Sequence, residues 1–275
     1  MKYTKPRINE TFTISAAPEW PSIIFETDEK GSHVWSWTLE WGKFKKTGRE
    51  TTTGNSWDAK AVVTNCGGKL TVRAEANKSS VSITVKIVGT NPTQIGVIQY
   101  LAAKPNSSGF DKIIEHEAKF KHFNAQNEPI KSFDDGYGMC QLTTPTPSFE
   151  QIWNWKNNVD GGLALFASKR LAAATYLGQS SRTYTSEQLK YETICRWNGG
   201  SYHKWDTTTN AWVRPSSILC DSKTGNIGWD MDDEENNCKT EADLRSRDSG
   251  TYSSPPGSNA HWKYSGVCYA DKIIG

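Results

Sequence analysis

The feature that most constrains the fold is an apolar stripe of period two that ends abruptly near residue 90. Trp35, Trp37, Leu39 and Trp41 fall on one face of an extended segment, with Ser36, Thr38 and Glu40 on the other. Leu70, Val72, Ala74 and Ala76 alternate with Thr71, Arg73 and Glu75, and Val81, Ile83, Val85 and Ile87 with Ser82, Thr84 and Lys86. Only a strand places every second side chain on one face, so these segments read as half-buried antiparallel strands. Turn residues separate them: Glu29 to Gly31, Gly54 and Asn55, Asn65 to Gly68, and Asn77 to Ser80. Strands at this spacing predict a small β-sandwich of immunoglobulin-like type over residues 1–90. The chain has 12 tryptophans, which serve either cores or flat sugar platforms. The clean alternation of the stripe assigns it to the core.

After Gly89, Thr90, Asn91 and Pro92 the period becomes helical. Asn91 and Pro92 can open a helix that carries Ile95, Ile98, Gln99 and Ala102. A second helix spans Phe110 to Phe120, and a third runs from about Ser148 to Ala174 with an interruption expected at Asp160 to Gly162. A fourth, capped by Thr185 or Ser186, ends at Asn198, Gly199 and Gly200. From Ser201 onward the periodicity is weak and a loop-rich lobe is expected. The fold class is therefore α+β and multidomain, with an accessory β domain at 1–90 and an α-rich domain at 91–275.

The near balance of 32 basic and 30 acidic residues argues against a dedicated nucleic-acid binder. No apolar run is long enough to insert into a membrane. The N-terminus lacks the apolar segment of a Sec signal. Of six cysteines, four crowd the last third, and bridges are expected among Cys195, Cys220, Cys238 and Cys268. Disulfides without a leader suggest export by a dedicated machine, or attachment to upstream domains. The five histidines form no zinc motif, so no metal or cofactor is expected. Asp230, Asp232, Glu234 and Glu241 echo a calcium loop, but Glu235 stands where its glycine belongs.

Glu117 carries the most chemical information. It follows Ile113 and Ile114 by four and three residues, so a carboxylate sits beside the apolar stripe of its own helix, while Glu115 points elsewhere. Burial raises a carboxyl pKa, and a proton retained near neutral pH is what a general acid requires. Beyond it come Gly136, Tyr137, Gly138, Met139, Cys140, Gln141 and Leu142, and later Arg196, Trp197, Asn198, Gly199 and Gly200.

This ordered set resembles the lysozyme-like superfamily, in particular soluble lytic transglycosylases and goose-type lysozymes, over roughly residues 93–200. Glu117 matches the catalytic acid of the Glu-Ser-x-Phe motif. Gly138, Met139 and Gln141 match Gly-Leu-Met-Gln, and Trp197, Asn198 and Gly200 match Tyr-Asn-Ala-Gly. Ala118 stands where the family has serine, Cys140 intrudes before Gln141, and Trp197 replaces tyrosine. The resemblance implies a lysozyme-like domain that cleaves peptidoglycan, with a proton delivered by Glu117 to the β-1,4 glycosidic oxygen between N-acetylmuramic acid and N-acetylglucosamine. Asp134 and Asp135, then Glu128, are the candidates to activate water in a muramidase. A lytic transglycosylase would use the substrate's own 6-hydroxyl instead. Related glycans such as chitin or chitosan, or a non-catalytic wall-binding role, are the other readings. Tyr137, Gln141, Trp197 and Asn198 are the candidate substrate contacts. The implied setting is an antibacterial effector, a phage or type VI secretion toxin delivered to the target's periplasm, with peptidoglycan strands, an immunity protein and a secretion component as partners.

Overall fold

The computed structural model describes residues 1–223, 228–234, 236, 238–243, 245–246 and 264–275. The chain divides into two compact units, Met1–Leu163 and Ala164–Gly275. It is a mixed α+β protein whose sheets are largely antiparallel.

In the first unit eight strands form two sheets. They are β1 (Tyr3–Lys5), β2 (Thr11–Ile14), β3 (Ile24–Thr27), β4 (His33–Trp41), β5 (Phe44–Thr52), β6 (Ser56–Asp58), β7 (Gly68–Ala76) and β8 (Ser79–Gly89). The larger sheet has the order β2-β8-β7-β4-β5 and the smaller β1-β3-β6. All pairs are antiparallel except β2 with β8, which the sequence pattern did not signal. Register carries the period-two stripe straight across the sheet: Trp35 opposes Ala74, Trp37 opposes Val72, and Leu70 opposes both Leu39 and Val85. These side chains therefore form one continuous apolar face. Asn77 and Lys78, with φ of 48° and 66°, close the β7–β8 hairpin in the left-handed conformation that suits the strand twist.

Aromatic rings join the two sheets. Trp35, fully buried, stacks on Trp57 at 6.0 Å, which stacks on Phe25 at 5.7 Å, and Tyr3 meets Phe25 edge-on at 6.1 Å. The Trp37 ring lies against Gly48, where an added Cβ would come within 2.4 Å of it. The buried cluster does not stop at residue 90. Phe123, Tyr137, Phe149, Ile152 and Trp153 belong to it. The change of period at Gly89 marks the last strand, and the compact unit runs on to Leu163.

The helices of this unit are α1 (Lys60–Val63), α2 (Gln94–Ala102), α3 (Phe110–Ala118), α4 (Phe149–Trp153) and the start of α5 (Trp155–Leu177). Thr93, rather than Asn91, caps α2 by accepting the Gly96 N–H. Val97 and Leu101 are its buried residues, whereas Ile95 and Ile98 are exposed. Both sets obey helical spacing, so periodicity alone left the phase of the stripe open. A capping box of Ser148 and Gln151 starts α4.

The expected break at Asp160 to Gly162 is absent. α5 is continuous there, and the chain bends instead at Asn154 (φ −106°, ψ 109°). Gly162 is small for packing reasons: a Cβ would sit 2.6 Å from the Phe110 ring and 2.8 Å from the Cys140 sulfur.

The second unit contains the rest of α5, a 3-10 turn (Gln179–Ser181), α6 (Ser186–Asn198) and α7 (Val267–Ile274). It also has a hairpin of β9 (Lys204–Asp206) and β10 (Ala211–Val213), and a sheet of β11 (Ile218–Cys220), β12 (Gly228–Asp230) and β13 (Tyr264–Ser265). A capping box of Thr185 and Gln188 opens α6. Glu192 on α6 is fully buried and accepts the backbone N–H groups of Tyr202 and His203, each at 3.0 Å, with Arg196 2.9 Å away. A disulfide joins Cys220 to Cys268, tying β11 to α7, and Cys195 remains a buried thiol. Cys238 is exposed.

The bridge closes a loop of 48 residues. Loop-closure entropy for that span is worth about 4 kcal/mol. Denaturant titration of Cys220→Ser should show an unfolding free energy lower by about 2–4 kcal/mol, and reduction of the native chain should give the same loss.

Candidate functional site

The site begins with α3. Phe110, Ile113 and Ile114 are buried, Glu115 is exposed, and Glu117 on the penultimate residue is half-buried. Lys119 and Phe120 then turn the chain sharply, with φ of 50° and 59°. Asn91, just past β8, pins the segment after this turn. Its Oδ1 accepts the N–H groups of His122 and Phe123 at 2.7 and 2.8 Å, and its Nδ2 donates to the Phe123 carbonyl at 2.9 Å.

The second motif is an irregular, buried stretch. Tyr137 bridges to Lys131 on one side and to Leu142 on the other. Gly138 adopts φ 71°, and a side chain there would strike both Asn158 and His122 at 2.6 Å. Asn158 accepts the Cys140 N–H and donates to the Tyr137 carbonyl, each at 3.0 Å. His122 lies 2.8 Å from the Ile152 carbonyl through Nε2 and 3.3 Å from the Met139 N–H through Nδ1. A carbonyl can only accept and an N–H only donate, so the ring is neutral with its proton on Nε2. Complete burial pushes its pKa down from 6.5 to about 4. Gln141, at φ 47°, donates to the Gly138 carbonyl at 2.7 Å, so its amide braces its own loop.

Glu117 and the second motif come together through Cys140. The thiol is buried and its pKa is raised well above 9, first by desolvation and then by the negative charge of Glu117. The carboxyl thus lies within electrostatic reach of a dry wall made by Cys140, against which Phe110 and Gly162 pack.

The other acids sit differently. Asp134 is exposed and accepts the Ser132 hydroxyl. Asp135 is bound by Lys43 at 3.0 Å and Lys131 at 2.8 Å, and the hydrogen bonds from these ammonium groups lower its pKa. Both occupy the tip of the 131–137 hairpin. Glu128 accepts the Trp41 indole N–H and pairs with Lys86. Tyr137, expected to line a sugar subsite, is 2% exposed and meets Trp41 and Phe44 edge-on, so its ring is core. Trp197 and Asn198 belong to the second unit, on the last turn of α6. Trp197 packs edge-on to Phe166 at 6.4 Å, and Asn198 precedes Gly199 at φ 116°.

In the acidic loop, Asp230 is engaged by Ser217, Lys204 and the Asp232 N–H, and Glu241 by Ser222 and Arg245. Glu235 and His261 lie outside the described residues. Among the described residues no three His, Cys, Asp or Glu side chains gather as a metal site. No helix among them is long and apolar enough to cross a membrane.

Asn91, His122 and Asn158 are the site-building residues that sequence reasoning missed. Their partners lie 17 to 32 positions away, beyond any local period. The one available signal was a polar residue beside each apolar run. No protein-family model matches this chain, and no curated protein matches it.

The neutral state of His122 gives an acid-sensitivity test. The unfolded chain binds a proton near pH 6.5, whereas the folded chain resists until about 4. Stability from this group is complete above pH 6.5, falls as pH drops toward 4, and levels off below, a loss of roughly 3 kcal/mol. Unfolding free energies measured from pH 7 to pH 4 should show the gap between wild type and His122→Asn narrowing by that order.

Proposed function

We propose that the chain is a peptidoglycan-cleaving glycosidase in which Glu117 is the general acid, built as an N-terminal β-sandwich followed by a lysozyme-like region. The observation that supports this reading is that α3, which carries half-buried Glu117, reaches through Phe110 to Gly162 beside Cys140 of the second motif. In a muramidase, Glu117 protonates the leaving glycosidic oxygen of the bond between N-acetylmuramic acid and N-acetylglucosamine as oxocarbenium character develops, and Asp134 or Asp135 activates water. A cell making such an enzyme must restrain it wherever it meets its own wall, which supports an effector paired with an immunity protein.

One observation favours a second mechanism. Asp135 is occupied by two ammonium groups and Asp134 by Ser132, so each has partners competing for its lone pairs. A lytic transglycosylase needs neither, because the substrate's 6-hydroxyl attacks and leaves a 1,6-anhydro end.

Glu117→Gln keeps the size and loses the transferable proton. Its turnover on purified sacculi should fall by about 10²–10⁴-fold with folding unchanged. Wild-type turnover in this variant would remove the proposal. Mass spectrometry of the products then separates the mechanisms: reducing ends mean hydrolysis, and anhydro ends mean transglycosylation. The double variant Asp134→Asn/Asp135→Asn should abolish the first and spare the second.

A further inference from the structure

The solvent face of the larger sheet carries a row fixed by strand register. Thr11 on β2 opposes Lys86 on β8, Lys86 opposes Lys69 on β7, and Lys69 opposes Glu40 on β4. Period two directs these side chains away from the face that buries Leu70 and Ile87. At this end of the sheet lies a trough of about 540 Å³ lined by those four residues together with Trp41 and Glu128. None of Glu117, Gly138 or Gln141 belongs to it.

The lining has a specific chemistry. Glu128 accepts the Trp41 indole N–H at 3.2 Å and meets Lys86 at 2.8 Å, and Lys69 meets Glu40 at 3.5 Å. Two ammonium groups and two carboxylates cancel, so the wall offers a charged ligand no net attraction. Each of them can still make charge-assisted hydrogen bonds to hydroxyl groups. Trp41, whose ring packs on the core side against Phe44, Tyr137 and Trp153, meets the trough at its indole N–H. It is backed edge-on by buried Tyr137 at 6.1 Å and buried Trp153 at 5.8 Å, so little rotamer freedom is lost on binding. A ligand that is uncharged and rich in hydroxyls answers these features, and pyranose rings have that combination. The volume falls within the range of about 300–1,000 Å³ common to small-ligand sites.

We propose that this trough is a binding site for a neutral oligosaccharide, sharing only Glu128 with the residues considered for the Glu117 chemistry. It gives the β-rich part of the first unit a recognition role of its own, and it stands whether or not Glu117 cleaves glycans.

The test uses the full chain labelled with ¹⁵N and follows the indole N–H resonances. Trp41→Phe removes the Trp41 signal and so identifies it. Glu128→Gln, which alters its hydrogen-bond acceptor, moves the same signal if the phenylalanine variant fails to fold. Titration with the N-acetylglucosamine tetramer should shift the Trp41 resonance saturably. Thr11→Trp, on an exposed position of an edge strand, should fill the trough and weaken that response at least about tenfold, a change of about 1.4 kcal/mol. Glu117→Gln should leave it unchanged. A Trp41 resonance that stays fixed at millimolar sugar overturns the proposal, as does an unaltered response in Thr11→Trp. An equal response to tripolyphosphate also overturns it, because the wall would then be reading charge. Loss of cleavage in Glu117→Gln with an intact Trp41 response would separate the two sites.

Discussion

The first unit depends on satisfying a stretch of backbone that is neither helix nor regular strand. Gly138, Met139 and Cys140 are buried, and their polar groups have no water to turn to. Asn158 and His122 meet that need, while Asn91 pins the two residues that place His122. Each bond replaces an unsatisfied group that would cost about 1–3 kcal/mol. The three residues come from the end of the sheet, the turn after α3, and α5. One polar network therefore fixes the strands, the helix that carries Glu117 and the loop beside it. The second unit repeats the principle with a charge: buried Glu192 holds the backbone of Tyr202 and His203 as the chain leaves α6.

Much of the fold was legible because it is local. Strand faces follow from period two, and helix starts follow from Thr185, Ser148 and their partners three residues on. The order in which strands pair was not legible, and neither was the parallel seating of β2 on β8, since both are set by contacts between distant segments. Gly161 and Gly162 read as a break because glycine both weakens helices and permits close approach. The neighbours decide between those meanings: Gln151 beside Gly161, and the Phe110 ring beside Gly162. For the same reason Ile95 and Ile98 could not be told from Val97 and Leu101 as the inward face of α2.

The candidate site divides in the same way. Glu117 could be singled out from its position on the wheel, and the structure leaves it half-buried beside Cys140. Tyr137 could not, because an aromatic residue in a glycine-rich loop suits a cleft and a core equally, and here Trp41 and Phe44 enclose it. The aspartates illustrate a further limit. Sequence shows two carboxylates in a turn, but Lys43, which binds one of them, lies 92 positions away. Long-range ion pairs decide whether an acid is available to substrate, and no local pattern encodes them.

The position of β5 at the margin of the larger sheet has a consequence for the behaviour of the chain in solution. A bare strand edge is a template for strand addition by another molecule, and so for aggregation. β5 carries Lys45, Lys46, Arg49 and Glu50 along nine residues, with Lys45, Arg49 and Glu50 exposed. A second copy laid against it would bring those cations onto its own, or would have to strip water from them. The edge is thus guarded by charge, and that guard weakens as salt screens it. Colloidal stability at low ionic strength is in this sense a property written into one strand.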